Sequence, residues 1–390
     1  MPTTSSGARD EGAGALDGIR IADFSRVLAG PYATMLLADL GADVVKVERP
    51  GTGDETRAWH PPADADGTST YFLGVNRNKR SVALDLSTGE GRERARELIT
   101  RSDVVVENFR PGTMARLGLG PEELLAADPR LIYCSVTGFG TGAGAALPGY
   151  DLLVQAVGGL MSVTGDPDGE PTKTGVALVD VITGLHASLG ILAALRHRDR
   201  TGRGQLVEVS LLGSLLSALV NQASGYVAAG AVPGRLGNAH PSIAPYETFD
   251  AADRPIALAV GNDAQFAALA AVLGRPGLAE DPRFRSNPDR VAHRAELRTA
   301  LQERLRTRDA DHWAEALPAA GVPAGPVNAL DEAFAYAERL GLQAVVDVGG
   351  TRQVAHPVRL GATPARYRLA PPELGEHTAD VFRKGQAQDG

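Results

Sequence analysis

Cysteine is almost missing from this sequence: Cys134 is the single thiol among 390 residues. One cysteine excludes an internal disulfide framework. It sits in the strand-like run Leu131-Ile132-Tyr133-Cys134-Ser135-Val136, which makes it a small core residue rather than a reactive thiol. Excess positive charge is missing too. A net charge of −8 and a pI of about 5.6 give a nucleic-acid role no support. No apolar run reads as long enough to cross a membrane, so no membrane partner is expected. Met1 to Ala15 are small and polar, with no basic stretch ahead of an apolar core. They are expected to form a disordered lead-in and not a secretory signal. A reducing cytoplasm fits these absences.

Several motifs are also lacking. None of the eight histidines makes H-E-x-x-H, and no Cys/His cluster occurs, so no metal is expected. His186 reads as a satisfied core histidine. There is no G-x-S-x-G elbow. No G-x-G-x-x-G follows the first strand and no G-x-x-x-x-G-K-[ST] occurs, which disfavours dinucleotide and P-loop nucleotide sites. Any phosphates would be held by scattered arginines, with Arg26, Arg49 and Arg116 as candidates.

What is present is an alternation. Strand-like runs at Ile19–Phe24, Asp43–Glu48, Ser81–Leu86, Asp103–Glu107, Leu131–Thr137 and Gln205–Leu211 are separated by helix-like patterns at Pro31–Leu40 and Gly89–Thr100. Such a pattern predicts an α/β fold, a Rossmann-like parallel sheet with helices on its faces. A long helix is expected over 212–228. A strand at Pro255–Val260 and a helix at Asp263–Leu273 then open a second, smaller α/β domain at about 228–330. The large domain occupies 16–227, and 331–390 return to it. Ligands of an open parallel sheet bind beyond the carboxyl ends of its strands. The loops there, such as Ser25 to Pro31, Glu48 to Asp54 and Glu107 to Gly112, carry Gly, Arg and Asn.

Asp180 stands in an apolar run, with Val176 to Val179 before it and Val181 and Ile182 after. A charge in such a run is stabilised by something or does chemistry. It reads as the N-cap of a helix that begins just after it, or as a nucleophile kept ionised by that helix terminus.

Long motifs then agree in order. Arg26 to Arg57, Asn76 to Ser81, Val106 to Gly112, Pro148 to Ala156 and the turn Thr201-Gly202-Arg203-Gly204-Gln205 resemble the family III CoA-transferases, from about Leu16 to Thr378. Gly237 to Tyr246 resembles the branch that uses dicarboxylic acids. The resemblance implies an interlocked homodimer, with acyl-CoA and small carboxylic acids as its partners. It implies that Asp180 attacks a donor acyl-CoA, succinyl-CoA or similar, and carries an aspartyl-CoA thioester. It implies that Arg26, Val27, Leu28, Ala29, Arg49, Leu84, Asn108, Phe109, Thr113 and Arg116 line the site for coenzyme A. Leu28 departs from the glutamine of formyl-CoA transferases, which puts formate and oxalate in doubt. A second carboxylate would call for an arginine, with Arg57, Arg110 and Arg235 as candidates. The alternative is a 2-methylacyl-CoA racemase of the same fold. Tyr150 argues against it, because those enzymes carry a histidine there and tyrosine's pKa of about 10 is too high for the task.

Overall fold

The structure is a computed structural model and describes residues 14–383. Most of the expected lead-in lies outside the described residues. From Leu16 the chain is tied down, its N–H donating to the Leu40 carbonyl at 2.9 Å.

The larger unit comprises the chain up to Gly158, Gly175–Ala229 and the stretch from Gln343 on. Its centre is a six-stranded parallel sheet of β1 (Arg20–Asp23), β2 (Asp43–Glu48), β3 (Lys79–Ala83), β4 (Val104–Glu107), β5 (Ile132–Thr137) and β6 (Leu206–Ser210). The strand order is β3-β2-β1-β4-β5-β6. Strands covered on both faces read as continuous apolar runs. Ile21, Ala22, Val45 and Val104 to Val106 accordingly have no exposed surface. The order reverses between β1 and β4, where sheets of this kind open a crevice for a ligand.

One strand and one helix assignment shift. β3 begins at Lys79, two residues before the expected start. A lysine can open a buried strand here because its ammonium finds acceptors inside, the Pro31 carbonyl at 2.9 Å and Asn76 Oδ1 at 3.0 Å. The helix expected over 212–228 is two helices, Leu211–Ala218 and Val220–Ala229, broken where Val220 takes φ 34°.

The Leu178–Thr201 helix corrects the expectation that no run could cross a membrane. By length and composition it is long and apolar enough. It packs instead on β5, β6 and the Ala29–Asp39 helix, with Val179, Ala187, Ile191 and Ala194 fully buried. Gly184 is required by that packing, since a Cβ there would lie 2.7 Å from the Ala29 carbonyl oxygen. Arg198, near its end, is buried and paired with Asp103 at 2.7 Å.

The smaller unit holds Gly159–Thr174 and Gly230–Leu342. It contains an antiparallel sheet of β7 (Tyr246–Asp250), β8 (Pro255–Ala259) and β9 (Ala324–Pro326). Phe249, Phe266, Leu301 and Leu317 form part of its core. The segment 159–174 falls in this unit, and the return to the larger one comes at Gln343 rather than near 331. Arg235 accounts for the first of these. Its guanidinium donates to the carbonyls of Asp166, Pro167 and Gly169 at 3.0, 3.3 and 2.7 Å.

Candidate active site

The loops that leave β1, β4 and β5 meet at the reversal of strand order. Asn108, just after β4, ties its loop to the one after β1. Its Oδ1 accepts the Arg26 N–H at 2.9 Å and its Nδ2 donates to the Arg26 carbonyl at 2.7 Å. Glu107 fixes the next residue, its carboxylate accepting the Phe109 N–H at 2.8 Å. Arg26 then lies over the Phe109 ring, 4.8 Å from its centroid, and pairs with Glu55 at 2.5 Å.

Beneath the loop after β1 lie four buried charges. Lys46 Nζ donates to Asp54 at 2.8 Å and to the Ser25 carbonyl at 2.9 Å. Lys79 Nζ donates to Asp23 at 3.2 Å. Burial alone would raise the Asp54 carboxyl, but Lys46 and the Thr56 donors outweigh it and hold it at about 2. Burial pulls Lys79 down to about 8. Buried charges persist when each is paired and hydrogen-bonded, and removing one partner is costly. Asp54 also faces the Val27 N–H, at 3.3 Å from both oxygens. Val27 has φ 68°, which a β-branched residue seldom adopts. The charge network thus holds a strained turn in the wall of the site.

That wall encloses a cleft of about 220 Å³ lined by Arg26, Val27, Leu28, Ala29, Asn108, Phe109 and Asp180. Trp59, Arg110, Gly138, Gly149 and Tyr150 also line it. Gly138 and Gly149 pack backbone to backbone, where a Cβ on either would lie 2.5 Å from the other's Cα. An adjoining cavity of about 770 Å³ is lined by Arg26, Arg49, Leu84 and Phe109, together with Asp85 and Leu117. Arg26, Glu55 and Phe109 line both. Thr113 and Arg116 line neither. They belong to the short Thr113–Arg116 helix, where Arg116 donates to Thr113 Oγ1 at 3.0 Å. Among the described residues no group of His, Cys, Asp and Glu is arranged to hold a metal.

Asp180 is not an N-cap. The Leu178–Thr201 helix starts before it and is capped by Ala177, so Asp180 is the third helical residue. The capping oxygen comes from Asp151, whose Oδ1 accepts the N–H groups of Val179 and Asp180 at 2.8 and 3.1 Å. The expectation of a fully ionised Asp180 is also corrected. Burial pushes its carboxyl up to about 7, and the Asp151 charge adds to the rise. Near neutral pH the group is therefore part ionised and more basic than an ordinary aspartate, which strengthens it as a nucleophile. Tyr71 feels the same charges. Burial first, then Asp180, Asp151 and Asp54, push its hydroxyl up to about 12. It stacks edge-on against Trp59, with ring centroids 5.2 Å apart.

A cleft that holds the raised Asp180 carboxyl and shares its lining with a larger arginine-bearing cavity suits an acyl-CoA substrate. The model of "CoA-transferase family III" matches residues 16–378. The chain belongs to CoA-transferase family III. It is 45% identical to a succinate–glutarate CoA-transferase of Agrobacterium fabrum, over 94% of each chain. It is 41% identical to the mouse succinyl-CoA:glutarate CoA-transferase, covering 95% of this chain and 86% of that one. It is 41% identical to an acetyl-CoA:oxalate CoA-transferase of Acetobacter aceti, over 96% and 97%. The crystal structure of a CAIB/BAIF family protein from Brucella suis superposes with a TM-score of 0.86 at 44% identity, covering 95% and 98%. In this family III chain, sequence reasoning missed Asp54, Trp59, Tyr71 and Asp151. Asp151 had a signal: it follows Tyr150 in the Pro-Gly-Tyr-Asp stretch.

Proposed function

We propose that this protein transfers coenzyme A from succinyl-CoA, or a similar donor, to a dicarboxylic acid through Asp180. The observation that carries the reading is the placing of Asp180, with its raised carboxyl, in the cleft between the loops after β1 and β4. The Asp180 carboxylate attacks the thioester carbonyl. This forms an acyl–aspartyl anhydride and releases CoA thiolate. The thiolate attacks the aspartyl carbonyl, leaving an aspartyl-CoA thioester and the free donor acid. The acceptor carboxylate then reverses the two steps and departs as its CoA ester. Splitting one difficult exchange into easier ones is what a covalent nucleophile provides. Arg49, in the larger cavity, suits the phosphates of coenzyme A, and Arg26 flanks the passage between the two spaces. Relatives named for succinate, glutarate and mesaconate support the choice of acids.

Incubation with succinyl-CoA and no acceptor, followed by hydroxylamine, tests this. A hydroxamate on the peptide holding Asp180, formed only when succinyl-CoA is present, is expected. An unmodified peptide with full activity would refute the covalent route. Exchange of the α-proton of a 2-methylacyl-CoA in deuterated water, with no acceptor present, would favour the racemase.

We further propose an interlocked homodimer in a reducing cytoplasm. The larger unit is left at Ala229 and rejoined at Gln343, so the chain makes a long excursion that a second copy can thread. Leu185, Leu189, Leu216, Val220 and Tyr226 leave an exposed apolar face, which supports a second copy as its cover. The single, buried Cys134 supports the compartment.

A further inference from the structure

A dicarboxylate leaves one carboxylate unreacted while the other exchanges with Asp180. Held in the cleft, that spare carboxylate calls for a cation, preferably a guanidinium that can bind both oxygens. The sequence offers Arg57, Arg110 and Arg235, and the structure separates them.

Arg57 is already used. It grips Glu48 through two hydrogen bonds, at 2.8 and 2.7 Å, and donates to the Pro372 carbonyl at 3.0 Å. Its guanidinium also lies 3.7 Å from the centroid of the Phe72 ring. Arg235 is used within the smaller unit, where it binds three backbone carbonyls. Arg110 alone of the three lines the cleft that holds Asp180. The other cation lining that cleft, Arg26, is paired with Glu55 and stacked on Phe109. Arg49 lines the adjoining cavity instead.

The side chain of Arg110 is exposed, and among the described residues it makes no ion pair or hydrogen bond. Its backbone is nonetheless fixed. The Arg110 carbonyl accepts the Thr113 N–H at 3.0 Å, and Pro111 behind it restricts its conformation. On the other side Glu107 holds the Phe109 N–H. A rigid backbone that carries an uncommitted guanidinium into the reaction cleft is the arrangement a carboxylate-reading residue needs.

We propose that Arg110 binds the unreacted carboxylate of the acid and so sets the preference for dicarboxylates. The proposal rests on dicarboxylate transfer by this site. In the free enzyme the guanidinium is hydrated, and in the complex it is paired. The selectivity arises because a monocarboxylate of equal length offers that cation no charge partner.

The test compares kcat/KM for glutarate and for valerate as acceptors, and for succinyl-CoA and butyryl-CoA as donors. These pairs differ chiefly in the second carboxylate. The wild-type enzyme is expected to favour the dicarboxylate member of each pair. Arg110→Gln is expected to reduce both preferences by about 10- to 100-fold, as loss of a charge-assisted bond would. Arg110→Lys should restore part of each, since it keeps the charge without the fork. Binding of free coenzyme A, measured by calorimetry, should keep its affinity in Arg110→Gln. Equal losses on both members of a pair, or a tenfold weaker affinity for coenzyme A, would overturn the proposal and make Arg110 a coenzyme-binding or structural residue. A wild-type preference near unity would refute the dicarboxylate reading itself, and the proposal with it.

Discussion

Asp180→Asn is expected to make the protein inactive and more stable. The side chain keeps its size, so packing is retained while the ionisable group is lost. In the folded protein burial, then Asp151, raise the Asp180 carboxyl from its ordinary 3.8 to about 7. Between those values the native state holds a proton that the unfolded chain has released, so stability falls as pH rises. The loss begins near pH 4 and is complete above pH 7. At 1.36 kcal/mol per pH unit, the gap of about three units sets a ceiling of about 4 kcal/mol. Asp180 is only half-buried and sits in the positive first turn of a helix, so solvent screening and the helix terminus reduce this to about 1–3 kcal/mol. Asparagine carries no such penalty. At pH 8 the variant should melt on the order of 2–5 °C above the wild type, and at pH 4 the two should coincide. Paired thermal melts at the two values measure this, with turnover assayed on the same samples. A variant that melts lower at pH 8, or shows the same difference at both pH values, would refute the reasoning. Near-normal turnover would remove Asp180 from the chemistry altogether.

The same carboxyl predicts that kcat/KM for acyl-CoA rises with pH through about 7 as Asp180 ionises, and a midpoint near 4 would contradict its raised position. Asp151→Asn should keep the cap through its amide oxygen and move that midpoint down only modestly, because burial is the larger cause. Asp54→Asn strips Lys46 of its closest charge partner and should cost about 3–5 kcal/mol while raising KM for acyl-CoA. Val27→Gly accepts φ 68° without strain, so it should raise KM with little change in melting temperature; a loss as large as that of Asp54→Asn would place the turn's support in the Val27 side chain instead. Light scattering should find a dimer that persists on dilution, and a folded monomer at micromolar concentration would refute the interlocked assembly.

The parallel sheet was most legible where its strands are buried on both faces. Asp43–Glu48 matches its expected run at both ends, and the Val104 to Val106 triplet marks β4 without ambiguity. Among the strands that escaped notice, β7 carries a polar residue at an inward position. β7 points Glu247 and Phe249 inward, and Glu247 is tolerated there because Arg298 pairs with it. A glutamate at an inward position breaks the apolar alternation by which a strand is read. The helix break at Val220 has neither glycine nor proline to announce it, so a continuous helix was the better reading of those residues.

At the site, sequence order conveyed which loops converge but not how charge is shared among them. Asp180 stood out because a carboxylate in an apolar run is conspicuous, but its reading as a nucleophile came from the family resemblance. Asp151 did not stand out, because twenty-eight residues separate it from the helix terminus it caps. This assignment changes the meaning of the Pro-Gly-Tyr-Asp stretch. Asp151 satisfies the first amides of the Leu178–Thr201 helix, which leaves the Asp180 carboxyl free of capping duty. An aspartate that capped its own helix would be held by amide donors, and its carboxyl would stay low and weakly basic. With the cap supplied from outside, Asp180 keeps the basicity that burial gives it. The separation of the two carboxylates into one that caps and one whose carboxyl is raised follows from burial and hydrogen bonding, which residue identity alone does not display.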